Sequence, residues 1–212
     1  MPFLHDKDPA FIEAVAPHMN LVKVDKDDYV VTEGERGTDL FFVLGGEVHC
    51  EYETDDGRKH TLMKYSPGHY FGDVAMFILE KNIVSFKATK VARTNSQSKV
   101  DGQCELYMLP RHILLNVALQ GSNHAEVKLE MQKLAAEKMR LLSEQIEKVD
   151  AWAAEEALTR DGGGTAVSFS EGAQQSSALR TDSGRGRVLS RVLDAADAEL
   201  ADHKAAFQGG SK

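Results

Sequence analysis

The sequence has few of the features that mark secreted, membrane-spanning or nucleic-acid-binding chains. Its 212 residues include two cysteines, Cys50 and Cys104, too few for a disulfide framework or a cysteine-based zinc site. No apolar run approaches the roughly 18 residues that a membrane helix needs, and the N-terminus shows no signal peptide pattern. Lys+Arg of 25 against Asp+Glu of 33 give a net charge of −8, which disfavours nucleic acid as a partner. We expect a cytoplasmic chain, or the cytosolic part of a membrane protein.

Catalytic and metal-binding signatures are also missing. The eight histidines are scattered without the paired spacing that metal ligands show. No nucleophile is accompanied by a recognisable base motif. We therefore expect no catalytic residue, no metal and no cofactor, and we do not expect an enzyme.

The first 110 residues indicate a helix followed by short strands. Asp8 is placed as an N-cap and Pro9 as the first helical residue, with apolar residues on one side of the turns that follow. Beyond Leu21 the pattern alternates in short runs separated by turn residues, which is typical of a β-sandwich or barrel. Gly57 ends an Asp-Asp-Gly hairpin turn. The clearest strands are 29–31, 40–44, 47–52 and 61–63.

After Pro110 the pattern becomes helical. We predict a short helix over 111–119 and a long one from about 123 to 158. Within the long helix an apolar seam follows 4-3-4-3-4 steps, through Ala135, Met139, Leu142, Ile146, Val149 and Ala153. Two interpretations stay open: the face 131–153 packs on the β domain, or it joins a second copy into a homo-oligomer.

The C-terminal quarter differs in composition. Residues 159–187 are rich in Gly, Ser, Thr and Gln, which predicts a flexible linker. Residues 188–212 contain a short amphipathic stretch and a tail. The predicted organisation is therefore a domain over 1–158, a linker over 159–187 and a terminal helix over 188–212.

Three stretches carry the chemical information. The first, 33–48, has glycines punctuating two strands. The second, 66–75, places Gly72 and Asp73 at the start of a short helix, where free backbone N–H groups suit an anion. The third is Arg93-Thr94, because a planar guanidinium can bind two phosphate oxygens at once.

Together and in this order, these stretches resemble the cyclic nucleotide-binding domains of channels, kinase regulatory subunits and bacterial catabolite activators. The resemblance covers residues 3–145, and the opening 2–11 looks most like the channel branch. It implies a mainly β fold with flanking helices: an antiparallel, jelly-roll-like β-roll with an N-terminal helix, a short phosphate-site helix and C-terminal closing helices.

The resemblance also implies roles for individual residues. Gly72 and the backbone of Val74 and Ala75 would bind the cyclic phosphate of cAMP or cGMP, and Arg93 would neutralise it. Asp73 stands where the family has a Glu that accepts a hydrogen bond from the ribose. Thr94 stands where a hydroxyl favours cGMP. The base pocket would consist of Cys50, Met63, Tyr65 and Phe71. The lid residues would be Leu134 and Met139.

Three departures from the family pattern leave alternatives open. Asp73 is one methylene shorter than Glu, Asn95 replaces a small residue, and the interval from Gly72 to Arg93 is about ten residues longer than typical. Each residue also has a purely structural interpretation, such as a cap for Asp73 or ordinary core positions for Cys50 and Met63.

Two functions follow from these observations. The first is a cytosolic module that binds a cyclic nucleotide and passes lid movement to an attached or partner effector, such as a channel subunit. The alternative is a degenerate domain that binds no nucleotide and serves as an assembly scaffold. A catabolite-activator type of regulator is disfavoured because no basic helix-turn-helix follows the long helix.

Overall fold

A computed structural model describes residues 7, 9–79, 81–90, 103–119 and 124–161, together with positions 194–195, 198 and 201. Within these ranges, helix α1 is Pro9–Val15, followed by a 3₁₀ turn at Ala16–His18. A single π-helical turn spans Ala75–Leu79, and two further helices are α2 (Arg111–Leu119) and α3 (His124–Asp161). The strands are β1 (Asn20–Asp25), β2 (Tyr29–Val31), β3 (Asp39–Gly45), β4 (Glu47–Glu53), β5 (Lys59–Tyr65), β6 (Tyr70–Phe71), β7 (Ser85–Lys90) and β8 (Gln103–Pro110).

The described strands form two four-stranded sheets. One has the strand order β1-β8-β3-β6 and the other has the order β2-β7-β4-β5. Within each sheet, neighbouring strands pair antiparallel. Apolar side chains of both sheets share one core, which includes Val43 and Leu106 from the first sheet and Val48 and Phe86 from the second. The predicted antiparallel β-roll with flanking helices is confirmed.

Strand β4 shows why these residues form a sheet. Val48, Cys50 and Tyr52 are buried, whereas the residues between them are partly exposed, the period-two pattern of a strand with one face on a core. The hairpin to β5 turns at Gly57, whose φ of +80° is accessible to glycine at little cost. The hairpin predicted from the Asp-Asp-Gly sequence is therefore confirmed.

Helix α2 begins and ends where the sequence predicts, and α3 extends three residues beyond the predicted domain end at 158. The apolar seam of α3 lies on the β-roll: Met139, Leu142 and Ile146 are at most 2% exposed and belong to the core shared by the two sheets. Of the two interpretations, packing on the β domain is the one that these buried residues support. A homo-oligomer through other residues of 131–153 stays a prediction.

The predicted linker and terminal helix fall mostly outside the described residues. Positions 194–195, 198 and 201 are helical and exposed, and 159–161 belong to α3 rather than to a linker. In the described ranges, no helix combines the length and apolar character that a membrane crossing requires.

Candidate functional site

The site is built around the turn that leads from β6 into the Ala75–Leu79 π-helical turn. Gly72 has a φ of +95°, and a Cβ there would collide with the carbonyl oxygen of Asp39. A Cβ on Gly37 would lie 2.5 Å from the backbone carbonyl carbon of Ala75. Because Gly37 and Gly72 lack side chains, the 37–39 and 72–76 segments pack directly against one another. This close packing fixes the position of Asp73.

The carboxylate of Asp73 forms an ion pair with a lysine of α3. The Nζ of Lys138 lies 2.8 Å from Oδ1 and 2.7 Å from Oδ2 of Asp73. It also donates to the backbone oxygen of Tyr70 at 3.3 Å and lies 4.0 Å from the centre of that residue's ring. The side chains of Asp73 and Lys138 are 3% and 17% exposed. Both carboxylate oxygens of Asp73 are thus occupied by the chain itself.

Burial shapes the acid–base behaviour of the groups around this ion pair. Burial raises the pKa of the Cys50 thiol to about 12, and the Lys138 ammonium opposes part of that rise. Burial also raises the pKa of the Tyr65 and Tyr70 hydroxyls, and the negative charge of Asp73 adds to the increase for both. All three groups therefore stay neutral near pH 7, and the charge of the site is that of Asp73 and Lys138.

A small cavity lies between this ion pair and the β-roll. Its volume is about 10 Å³, about the space that one water molecule requires. Phe86 lines the cavity and stacks on Phe71, with ring centres 4.4 Å apart and planes 17° apart. The other lining residues are Tyr65, Gly72, Asp73, Val74, Ala75, Leu79, Asn82, Ile83, Val84, Lys138 and Leu142. With α3 in this position, a cyclic nucleotide has no room to enter.

The structure brings together only part of the predicted site. Gly72, Asp73, Val74, Ala75 and Tyr65 all line the cavity. Of the remaining base-pocket residues, Phe71 and Cys50 are fully buried in the shared core, whereas Met63 is partly buried and packs against it. Met63 pairs with Cys50 across the hairpin. None of these three is among the residues that line the cavity.

The two predicted lid residues differ in placement. Met139 is fully buried in the shared core, where it contributes to holding α3 on the roll. Leu134 is partly exposed. Their roles as lids stay predictions.

Arg93 and Thr94 lie outside the described residues. Strand β7 ends three residues before Arg93. Phe86 lines the cavity and pairs with Cys50, whereas Lys90 pairs with Glu47 at the other end of the strand. Four residues of β-strand span about 13 Å. The last described residue before Arg93 is therefore well removed from the cavity, and the predicted phosphate contact of Arg93 stays untested.

Sequence reasoning did not identify Lys138 as a site residue. A signal for Lys138 was present, because it lies three residues after Ala135 and four before Leu142. These spacings place it on the apolar face of α3. A charged residue on an apolar face needs a partner of opposite charge.

A second set of contacts holds the C-terminal half of α3 on the β4–β5 hairpin. The hydroxyl of Tyr52 donates to Asp150 at 3.0 Å, and Arg58 forms an ion pair with Glu156. The guanidinium carbon of Arg58 lies 4.9 Å from the centre of the Trp152 ring. His60 packs edge-on against the same ring, with centres 5.6 Å apart. We call Tyr52, Arg58, His60, Asp150, Trp152 and Glu156 the hairpin clamp.

The described residues thus form an antiparallel β-roll with a long helix across a glycine-containing turn. Residues 21–120 match the family model of the cyclic nucleotide-binding domain. The matched segment makes up just under half of the chain, and over it the chain is similar to the cyclic nucleotide-binding domain family.

Similar curated proteins are ion channels. The chain is 29% identical over 98 residues to the potassium/sodium hyperpolarization-activated cyclic nucleotide-gated channel 2 of Mus musculus. The aligned segment covers 46% of this chain and 11% of the channel. It is 28% identical over 122 residues to the potassium/sodium hyperpolarization-activated cyclic nucleotide-gated channel 4 of Oryctolagus cuniculus, and this alignment covers 56% of this chain and 10% of that channel. The matched region thus spans about a tenth of the channels' length.

Two solved structures share the fold. A protein from Geobacter metallireducens described as cyclic nucleotide-binding aligns with a TM-score of 0.50 at 15% identity, covering 63% of this chain and 87% of its own. The N-terminal domain of a transcriptional regulator from Streptomyces coelicolor aligns with a TM-score of 0.50 at 17% identity, covering 78% and 96%. At these identities the likeness concerns the fold.

Proposed function

We propose that the chain is a regulatory module that binds cAMP or cGMP between the β-roll and α3, and passes the resulting movement of α3 to an attached or partner effector. The observation that carries this proposal is the position of the 72–75 turn: it lines the cavity described above, and α3 covers it. The match of residues 21–120 to the cyclic nucleotide-binding domain family supports the same ligand.

The chemistry of the cavity supports a ligand with one polar and one apolar end. The lining residues include the turn residues Gly72, Val74 and Ala75 and the acidic Asp73. They also include aromatic side chains, those of Tyr65 and Phe86, which suit a planar base. A sugar hydroxyl would donate to Asp73 once Lys138 has moved away from it.

The similarity to channels supports an ion channel subunit as the effector and the cytosol as the compartment. Helix α3 is the natural output element, because it contacts the 72–75 turn through Lys138 and the β4–β5 hairpin through Trp152. The proposed role is regulatory, and no catalytic step is assigned to the chain.

Calorimetric titration with cAMP and with cGMP tests the proposal. We expect saturable binding at micromolar concentrations that Arg93→Glu abolishes and Asp73→Asn weakens about tenfold, the usual loss when a charged acceptor becomes a neutral one. Lys133→Met, which removes an exposed lysine of α3, is the matched control and should bind like the wild type. No heat with either nucleotide, from protein with native circular dichroism, would refute the proposal.

A second function is favoured by one specific observation. Asp73 is paired with Lys138, and the remaining cavity holds about one water molecule. A domain whose site is filled by its own side chains could act as an assembly scaffold with α3 fixed in place. This function predicts no nucleotide binding even after Lys138 is removed, which separates it from the first proposal.

A further inference from the structure

The Lys138–Asp73 ion pair joins the covering helix to the floor of the site. Lys138 lies on α3 and Asp73 lies 65 residues earlier, in the turn after β6. Among the residues of the described ranges that line the cavity, Lys138 is the only base and Asp73 the only acid. The two charges therefore satisfy each other across the boundary that any ligand must cross.

Such a pair is not needed to hold the two elements together. The apolar residues Met139, Leu142 and Ile146 already fix α3 on the core. Removing two charges from water is costly, and well-packed apolar residues stabilise a fold as well or better. The pair does, however, make closure of α3 depend on one contact that a polar ligand can replace.

We propose that Lys138 is an internal competitor of the ligand: its ammonium group occupies the carboxylate of Asp73, latches α3 over the site and sets the affinity for any ligand that donates a hydrogen bond to that carboxylate. The ligand in this inference rests on the proposed function, whereas the contact between Lys138 and Asp73 that forms the latch does not. A ligand hydroxyl takes the place of the ammonium on Asp73. The displaced ammonium leaves the cavity with α3.

Cys50 provides a reporter of the latch that needs no nucleotide. Its side chain is fully buried in the core that also contains Met139, Leu142 and Ile146, and the charge of Lys138 acts on its thiol. A rare thermal opening, in which these three residues of α3 leave the core, would expose Cys50, and the latch sets how often that opening occurs. Cys104 is fully buried on β8 and donates to the carbonyl oxygen of Gly45, so it reports unfolding of the roll instead.

The experiment is alkylation of the full chain with iodoacetamide, with the rate at each cysteine read by peptide mass spectrometry. We expect Lys138→Met to accelerate alkylation of Cys50 about tenfold or more, the effect of losing one charged hydrogen bond, and to leave Cys104 unchanged. Loss of the ammonium without opening would raise the Cys50 pKa and slow the reaction, so acceleration reports opening. Lys133→Met is the matched control and should react at the wild-type rate.

A double-mutant cycle with Asp73→Asn separates a direct latch from a general loosening of the fold. If the two side chains act through their contact, the double variant should accelerate Cys50 about tenfold less than the product of the two single effects. Wild-type rates in Lys138→Met, or effects that simply multiply, would overturn the latch. If Lys138→Met exposes both cysteines by unfolding, the single variant Asp73→Asn decides. Faster alkylation of Cys50 with unchanged alkylation of Cys104 supports the latch, and wild-type rates at both cysteines overturn it.

Nucleotide titration of Lys138→Met tests the competition. We expect this variant to bind cAMP or cGMP several-fold more tightly than the wild type. Loss of binding in the variant, with binding retained in the wild type, would overturn the competition because Lys138 would then hold the ligand. Absence of binding by both proteins refutes the proposed function alone, and the Cys50 rates still decide whether the latch exists.

Discussion

Three glycines allow the two effects that position the 72–75 turn to be measured separately. Gly57 has a positive φ, and a Cβ there would meet no atom within 4 Å. Gly37 lacks a positive φ, but its Cβ would lie 2.5 Å from two atoms of Ala75. Gly72 combines a φ of +95° with a collision against the backbone oxygen of Asp39. Alanine at each position therefore tests strain alone, close approach alone, or both.

The expected losses of unfolding free energy follow from these geometries. Gly57→Ala should lose about 1 kcal/mol, the cost of placing an L-residue in the left-handed region. Gly37→Ala should lose about 2 to 3 kcal/mol, because a rigid backbone segment must shift to admit the methyl group. Gly72→Ala carries both costs and should lose about 3 to 4 kcal/mol.

Urea unfolding followed by circular dichroism and by the fluorescence of Trp152, the single tryptophan of the chain, measures all three variants. Equal m-values are required before the free energies are compared. A Gly72→Ala variant no less stable than Gly57→Ala would refute the reasoning. The 72–75 turn would then not be held by direct packing against 37–39.

Three further predictions concern α3 and the core beneath it. Trp152→Ala should raise hydrogen exchange in the last turns of α3 about tenfold while the amides near Leu142 keep their protection, because only the hairpin clamp is lost; uniform protection along α3 would contradict this. Leu142→Ala should lower the unfolding free energy by about 3 kcal/mol, measured by urea unfolding. A loss below about 1 kcal/mol would contradict this and would mean that neighbouring side chains close the cavity left by Leu142. Cys50 has a pKa of about 12 when folded against a normal 9.0, so the folded state favours the neutral thiol. Its contribution is complete below pH 9 and is lost as the pH rises from 9 towards 12. Between those values the stability of the wild type should therefore fall by up to about 1.4 kcal/mol per pH unit more than that of Cys50→Ala.

Local patterns in the sequence were sufficient to predict most of the fold. The alternation in β4, the glycine at position 57 and the residues bounding α2 depend on neighbours within one strand, turn or helix. The 4-3 seam of α3 predicted a buried face but not what covers it. A partner helix and a β-sheet both bury such a stripe, so the spacing alone could not distinguish them.

The site was less predictable because it depends on contacts between distant segments. Gly72, Asp73, Val74 and Ala75 were found together because they are consecutive. The pairing of Asp73 with Lys138 joins residues 65 positions apart, and no local pattern specifies it. The roles of Arg93 and Thr94 came from the family resemblance, and they stay predictions because both residues lie outside the described ranges.

The size of the apolar contact under α3 limits how the helix can move. Met139, Leu142 and Ile146 are at most 2% exposed, and burying three such side chains contributes roughly 5 to 9 kcal/mol. A ligand that detached α3 and still bound at micromolar affinity, about 8 kcal/mol net, would have to supply this apolar cost in addition. A smaller movement of α3 costs less. We therefore expect the movement that carries a signal to keep these three residues in place and to rotate or tilt α3 about them, with the largest displacement at the helix ends. Loss of the Lys138 contact and of the hairpin clamp are the two changes that permit such a tilt.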